Sequence, residues 1–169
     1  MKHILWPLLA LTLAACSPMP RANPLSRAQA DGLAISAIDV TTTGAAFESK
    51  RAADFSARLD PDLTAALQRE FANRMSSDGV LLTVDVARLN VADSGRTAFG
   101  WDQSKLIGQA RLTTPDGQVL ATYPIQVNAG QAAKTRTGAL VSAAIGSSDK
   151  NYTKLVNKFS EELLVLMEN

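Results

Sequence analysis

The order of apolar and polar positions along the chain predicts a domain built from both helices and strands. A short run with β-branched residues, Leu33 to Val40, indicates a first strand. Residues 41–59 show no clear period, and 50–59 fit either a helical turn or irregular chain. Asp60-Pro61 is typical of a helix start, with Asp as N-cap and Pro at the first helical position.

The predicted helix has one apolar face and ends near a glycine. Large apolar residues recur at four-residue steps, which is the spacing of a buried helix face: Leu63, Leu67, Phe71 and Met75. Gly79 suits the left-handed position that follows a helix.

The strongest strand pattern covers residues 80–91. Apolar residues alternate with others and then continue in the opposite phase: Val80, Leu82, Val84 and Val86, followed by Leu89 and Val91. Because a slip of one residue would turn the apolar side chains to the other sheet face, we predict a β-bulge near Ala87–Arg88.

Two further strands and a closing helix follow. Asp116-Gly117 lies between the alternating segments 106–113 and 119–127, which predicts a hairpin. Its predicted faces are Leu106, Ala110 and Leu112 on one arm, and Val119, Tyr123, Ile125 and Val127 on the other. The closing helix has an apolar face of Tyr152, Leu155, Val156, Phe159, Leu163, Leu166 and Met167, with Lys154, Lys158, Glu161 and Glu162 outside it.

These elements predict an α+β fold in the order β-α-β-β-β-α. A helix between the first two strands implies a parallel crossover, and the hairpin adds antiparallel strands. Strands that alternate, rather than being apolar throughout, favour a sheet with helices on one face. We therefore expect a two-layer α/β sandwich with a mixed sheet, formed by residues 33–169.

The N-terminus has the three zones of a secretory signal peptide. Lys2 supplies a positive charge, residues 4–13 are mainly apolar, and small residues follow. The apolar run is shorter than the roughly twenty residues that a bilayer-spanning helix needs. We therefore predict a signal peptide over 1–15, followed by a tether over 16–32 that is polar and rich in proline.

Leu13-Ala14-Ala15-Cys16 resembles the lipobox of bacterial lipoproteins. The resemblance implies that Cys16 is acylated, becomes the first residue of the mature protein and holds it at a membrane. Ser17, rather than Asp, resembles lipoproteins sorted to the outer membrane, here with the domain facing the periplasm. The alternative is an ordinary signal peptide cut near Ala15, with Cys16 incidental.

Composition argues against several function classes. The chain has 17 Lys and Arg against 16 Asp and Glu, so it lacks the basic excess typical of nucleic-acid binding. Its one His and one Cys, His3 and Cys16, fall in the N-terminal sixteen residues. The mature domain would then have no Ser-His or Cys-His pair and no His or Cys for zinc.

No remaining pattern indicates catalysis or a cofactor. Ser147 and Lys150 form Ser-x-x-Lys, a pattern of some serine acyl-enzymes, but the companion motifs are absent. The Asp residues show no spacing that favours acid–base work or a metal loop. We expect a protein that is not an enzyme, with no cofactor and no metal.

Two segments are candidates for binding a partner. Arg96, Phe99 and Trp101 place one cation and two aromatic rings in a single loop, and such residues are enriched at interfaces. The alternative is that Phe99 and Trp101 fold back over the sheet. Residues 137–146 are small and apolar and follow Lys134 and Arg136; they could contact a partner or bilayer, or extend the closing helix.

The middle of the chain, including LIGQARLTTPDGQVLATYPIQV, is similar to small uncharacterised bacterial envelope lipoproteins with a periplasmic α/β domain. It also resembles the α/β domains of curli-secretion and penicillin-binding-protein-activator lipoproteins. The resemblance implies a non-enzymatic accessory or scaffold for an outer-membrane or trans-envelope assembly, with an envelope protein as partner. The alternative function is a lipid-binding or transport-auxiliary lipoprotein that shields an acyl chain between helices and sheet.

Overall fold

A mixed five-stranded sheet with helices packed on it organises the chain. The computed structural model describes residues 23–98, 102–130, 135, 137 and 148–169. The strands are β1 (Ile35–Thr41), β2 (Ala46–Phe47), β3 (Val80–Asn90), β4 (Ser104–Thr113) and β5 (Val119–Ala129). The helices are α1 (Arg27–Asp31), α2 (Lys50–Asp54), α3 (Ser56–Glu70), α4 (Ser94–Ala98) and α5 (Ser148–Glu168), with a 3₁₀ turn at Ala72–Arg74.

The strand order is β1-β3-β4-β5, and it confirms the predicted α+β class. β1 runs parallel to β3, while β4 is antiparallel to both β3 and β5. The two-residue β2 pairs with Arg88 and Leu89 of β3, beyond the point where β1 ends. α3 makes the predicted crossover from β1 to β3, and it packs with α5 over the sheet. In the described sheet β5 is the last strand, and Pro124 lies in its middle opposite Gln109.

The predicted bulge in β3 is confirmed. The pairing of β3 with β4 passes from Val86–Gly108 to Arg88–Ile107, so Ala87 has no direct partner. The extra residue returns Leu89 to the buried face that Val84 and Val86 occupy before it.

The hairpin is also confirmed, with one error in its predicted face. Gly117 has a φ of 89°, and its N–H donates to the carbonyl of Thr114 over 2.9 Å. The predicted inward residues of both arms are buried except Val119, which is 52% exposed. The prediction for Val119 is wrong because the pairing shifts register between Leu112 and Thr113, which breaks the alternation at the start of β5.

The first long helix begins earlier than Asp60, so the predicted N-cap is wrong. α3 starts at Ser56, and Pro61 lies inside it. Phe55 and Leu59 are buried, and their packing extends the helix upstream of the local start signal. The ring of Pro61 lies on the exposed side of α3, where water can bond the carbonyl that loses its helical donor.

The predicted end of this helix needs two corrections. Leu63, Leu67 and Phe71 are buried as predicted, but Met75 lies beyond the helix and is 41% exposed. Gly79 is not among the described glycines with positive φ. A Cβ on Gly79 would lie 2.5 Å from the carbonyl carbon of Ala34. A glycine is therefore needed there because β1 comes close, not because the backbone is left-handed.

The later part of the predicted tether belongs to the domain. Ser26 caps α1 in a reciprocal capping box with Gln29, and Leu25 and Ala30 are buried in the core. Residues 23–32 therefore pack against the domain, which extends N-terminally past the predicted boundary at 33. The predicted signal peptide and residues 16–22 lie outside the described residues.

The closing helix confirms the predicted division of its faces. The predicted inward residues of α5 are buried, except that Leu166 is half-buried, and the predicted outer residues are exposed or half-buried. The helix begins at Ser148, four residues before its first predicted inward residue. No described helix is both long and apolar enough to cross a bilayer.

Candidate functional site

Most of the predicted site residues lie outside the described part of the chain. Cys16, Phe99 and Trp101 are outside it, and Arg96 is placed only as a backbone position in α4. Most of segment 137–146 is also outside it. The grouping of Arg96, Phe99 and Trp101 in one surface therefore stays a prediction.

The stems of the aromatic loop are tied together by hydrogen bonds. The N–H of Ala92 donates to Oγ of the fully buried Ser104 over 3.0 Å. Nδ2 of Asn90 donates to Oδ1 of Asp102 over 3.2 Å and to the carbonyl of Gln103 over 3.0 Å. The loop therefore leaves and re-enters the sheet between fixed positions on β3 and β4.

The two candidate binding segments leave the sheet side by side. Thr97, near the end of α4, is buried, and Gly130 follows the end of β5 directly. A Cβ on Gly130 would clash with Cγ2 of Thr97, so the Thr97 side chain packs directly against the backbone of Gly130. We call this part of the molecule, where β3 and β5 end and β4 and α5 begin, the loop end.

A polar groove between α3 and α5 was missed by sequence reasoning. It has a volume of about 240 Å³. Its lining residues on α3 recur at helical spacing, and those on α5 come from two consecutive turns: Arg58, Asp62, Ala65 and Arg69 on α3, and Tyr152, Thr153, Val156 and Asn157 on α5. The helical spacing of the α3 residues can be seen in the sequence. Their contact with α5 residues about 90 positions away cannot.

One end of the groove is a compact aromatic and ionic cluster. The rings of Phe55 and Tyr152 stack with centroids 4.2 Å apart, and the Arg58 guanidinium carbon lies 5.7 Å from each centroid. The Tyr152 hydroxyl donates to Oδ2 of Asp62 over 2.9 Å, and Arg58 pairs with the same oxygen at 3.4 Å. Burial, then the bond to Asp62, raises the pKa of Tyr152, so the hydroxyl stays a donor.

The other end of the groove holds a second cation. Nη2 of Arg69 donates to Oδ1 of Asn157 over 3.4 Å. Guanidinium groups bind carboxylates and phosphates, so this end suits an anionic group. Asp62 already accepts a hydrogen bond from Tyr152 and is paired with Arg58 on its own helix, and the bond to Tyr152 joins α3 to α5.

No group of three His, Cys, Asp or Glu side chains in the described part of the chain is arranged to hold a metal ion.

Comparison with known proteins gives only remote likenesses. No family model matches the sequence, and the curated proteins yield no match. A crystal structure of a protein of family DUF330 from Xanthomonas campestris is 13% identical, with a TM-score of 0.39, over 79% of this chain and 84% of that one. A crystal structure of an uncharacterized protein is 14% identical, with a TM-score of 0.35, over 78% and 90% of the two chains.

Proposed function

We propose that this chain is a lipid-anchored envelope lipoprotein whose domain acts as a non-enzymatic accessory or scaffold for an outer-membrane or trans-envelope assembly. The observation that carries the proposal is Leu13-Ala14-Ala15-Cys16 directly after a basic start and an apolar run. Acylation of Cys16 would supply two or three chains. Each buried CH₂ contributes about 0.8 kcal/mol, and two chains suffice for a durable anchor.

The arrangement of the domain supports a role in binding a protein partner. The stems of the aromatic loop and the residue that begins the 130–147 segment adjoin at the loop end, where Thr97 meets Gly130. A partner of the loop end could therefore contact both candidate segments at once. The bonds from Asn90 and Ala92 give the aromatic loop a fixed base, which lowers the entropy that this loop would lose on binding.

The alternative role, shielding an acyl chain between helices and sheet, has no specific observation in its favour. The layer between α5 and the sheet is filled by side chains of zero exposure, including Leu82, Leu112, Phe159 and Leu163. An acyl chain there would have to displace them. We therefore keep lipid binding as an outcome of the test.

Acylation is tested first, in a Gram-negative host fed with a clickable palmitate analogue. The wild-type chain should take up label and sediment with membranes, while Cys16→Ala should do neither. Ser17→Asp keeps the lipobox and serves as the matched control for sorting: it should keep the label but leave the outer membrane. A wild-type chain without label would overturn the proposed anchor.

The partner is tested with a photo-crosslinking residue at position 101 in the intact lipoprotein. A specific envelope protein captured by the wild-type form, and lost with Cys16→Ala, is the expected result. A second crosslinker at the exposed Thr153 of the α3–α5 groove compares the two surfaces. Capture of lipid alone at position 101 would favour the lipid-binding alternative instead.

A further inference from the structure

Asn23, the first described residue, is fastened to both layers of the domain. Its Nδ2 donates to the carbonyl of Met167 near the end of α5 over 2.6 Å. Its Oδ1 accepts from the hydroxyl of Tyr123 on β5 over 2.8 Å and from the N–H of Leu25 over 3.0 Å. The N-terminal segment therefore joins the domain at a fixed point.

This point lies at the opposite end of the domain from the loop end. Arg74 donates to the carbonyl of Ala30 over 2.8 Å and pairs with Glu168 at 2.7 Å, which joins α1, the 3₁₀ turn and the end of α5. Leu25 lines a cavity of about 290 Å³ with Val80, at the start of β3. We call this the hairpin end, because the 114–117 turn between β4 and β5 lies there too.

The exposed large apolar side chains in the described part of the chain also gather toward the hairpin end. They are four, and each lies in or next to an element that starts or finishes there: Met75, Leu81, Val119 and Val165. Met75 bridges to Ile35 at the start of β1, and the pairing of β4 with both neighbours places Leu81 and Val119 at either side of Thr113. Val165 lies in the last turns of α5.

The chain between the anchor and Asn23 is short compared with the domain. Seven residue steps separate Cys16 from Asn23, which span at most about 25 Å at roughly 3.5 Å per residue. Asn23 is bonded to Tyr123 and Met167. Tyr123 lies six residues before the end of β5, about 20 Å at roughly 3.3 Å per residue, and Met167 lies 19 residues after the start of α5, about 28 Å at roughly 1.5 Å per residue. An inverted position, with the loop end at the membrane, would therefore need the tether to be almost fully extended.

We propose that the domain stands on the lipid surface with its hairpin end toward the bilayer and its loop end directed away. The inference rests on the proposed anchoring at Cys16. In this orientation the exposed apolar side chains of the hairpin end face the lipid surface. It also directs the segment that carries Arg96, Phe99 and Trp101 toward partners beyond the membrane.

Fluorescence quenching in reconstituted vesicles tests this orientation. The acylated full-length protein is placed in phosphatidylethanolamine–phosphatidylglycerol vesicles that carry a headgroup spin label. A thiol-reactive fluorophore is attached at Asp116→Cys in the hairpin turn, or at Gln103→Cys at the loop end, both exposed positions. Acylated Cys16 has no free thiol. Quenching at position 116 should exceed quenching at position 103 several-fold.

Two controls separate this inference from the anchoring proposal. An insert of about twenty Gly and Ser residues after Ser17 lengthens the tether beyond the domain and should remove most of the difference. Asn23→Ala should reduce the difference, while Asn73→Ala, an exposed Asn at the same end, should keep it. Failure of the protein to bind vesicles would contradict the anchor itself. Stable binding with equal quenching, or with stronger quenching at position 103, would overturn the orientation alone.

Discussion

Gly79→Ala tests whether the close approach of β1 is what requires a glycine before β3. An added Cβ would lie 2.5 Å from the carbonyl carbon of Ala34 and 2.6 Å from the carbonyl carbon of Ile35, whereas ordinary contacts begin near 3.4 Å. These backbone atoms are held by two bonds of 2.9 Å, from Val80 N–H to Ala34 and from Ser76 N–H to Ile35. The clash therefore cannot be relieved by rotating a side chain.

The expected cost follows from these contacts. Overpacking typically costs about 1–3 kcal/mol, and loosening one backbone hydrogen bond adds about 0.5–1.5 kcal/mol. We expect Gly79→Ala to lower the free energy of unfolding by about 2–3 kcal/mol, measured by urea unfolding of the detergent-solubilised protein with circular dichroism. The control is Gly32→Ala, whose Cβ would have 3.5 Å to its nearest neighbour and which should be neutral or slightly stabilising.

A third variant separates the steric explanation from a conformational one. Asn tolerates left-handed backbone better than Ala does, so Gly79→Asn would be the milder change if φ were the cause. The close approach of Ala34 predicts that Asn is at least as destabilising as Ala. A Gly79→Ala protein as stable as wild type, or a clearly milder Gly79→Asn, would refute the reasoning.

Three further predictions concern stability. Burial raises the pKa of Tyr123 from 10.0 to about 12, so the stability that the neutral phenol contributes is complete below pH 10 and is lost as the pH rises toward 12. Between these values the free energy of unfolding should fall more steeply with pH in the wild type than in Tyr123→Phe, and equal slopes would contradict this. Pro61→Ala restores a donor to the Ala57 carbonyl and should raise the free energy of unfolding in urea by about 1 kcal/mol or more. An unchanged value would favour a helix that starts at Asp60-Pro61, as the sequence pattern predicts. Leu163→Ala, at zero exposure, should cost about 2–5 kcal/mol, whereas exposed Val165→Ala should change stability by less than about 0.5 kcal/mol in thermal scans; similar effects at both sites would refute the assigned faces of α5.

Much of the fold could be predicted because its signals are local. The apolar positions of the third strand change phase between Val86 and Leu89. A regular strand would turn one of these two side chains to the exposed face, so the pattern predicts a bulge as well as a strand. Asp116-Gly117 fixes the hairpin in the same way. These patterns need no knowledge of distant residues.

The errors arose where long-range packing outweighs a local signal. Asp60-Pro61 has the residue types of a helix start, but the buried Phe55 and Leu59 extend the helix upstream. Residues 23–32 have few apolar residues, and Asn23 is held by bonds to Tyr123 and Met167, 100 and 144 positions away.

The candidate site was predictable only in part, for the same reason. The α3 side of the groove has a helical period, but the bonds that define the groove join Arg69 to Asn157 and Asp62 to Tyr152. No single-sequence pattern indicates such pairs. The sequence predicts the aromatic loop from its residue types. The bonds that join its stems near Asn90 and Ser104 depend on the pairing of β3 with β4, which the sequence does not show.

Pro124 affects whether two copies of this protein can pair through their sheet edges. Two molecules confined to one surface meet far more often than in free solution, and a bare strand edge invites them to join into a growing sheet. Because Pro124 lacks an N–H, it interrupts the row of donors along β5, the last strand of the described sheet. Lys158 occupies one carbonyl of the same strand by donating to Asn128 over 3.1 Å. This strand is thereby a poor seed for polymerisation, which would matter for copies crowded on a membrane by the anchor proposed above.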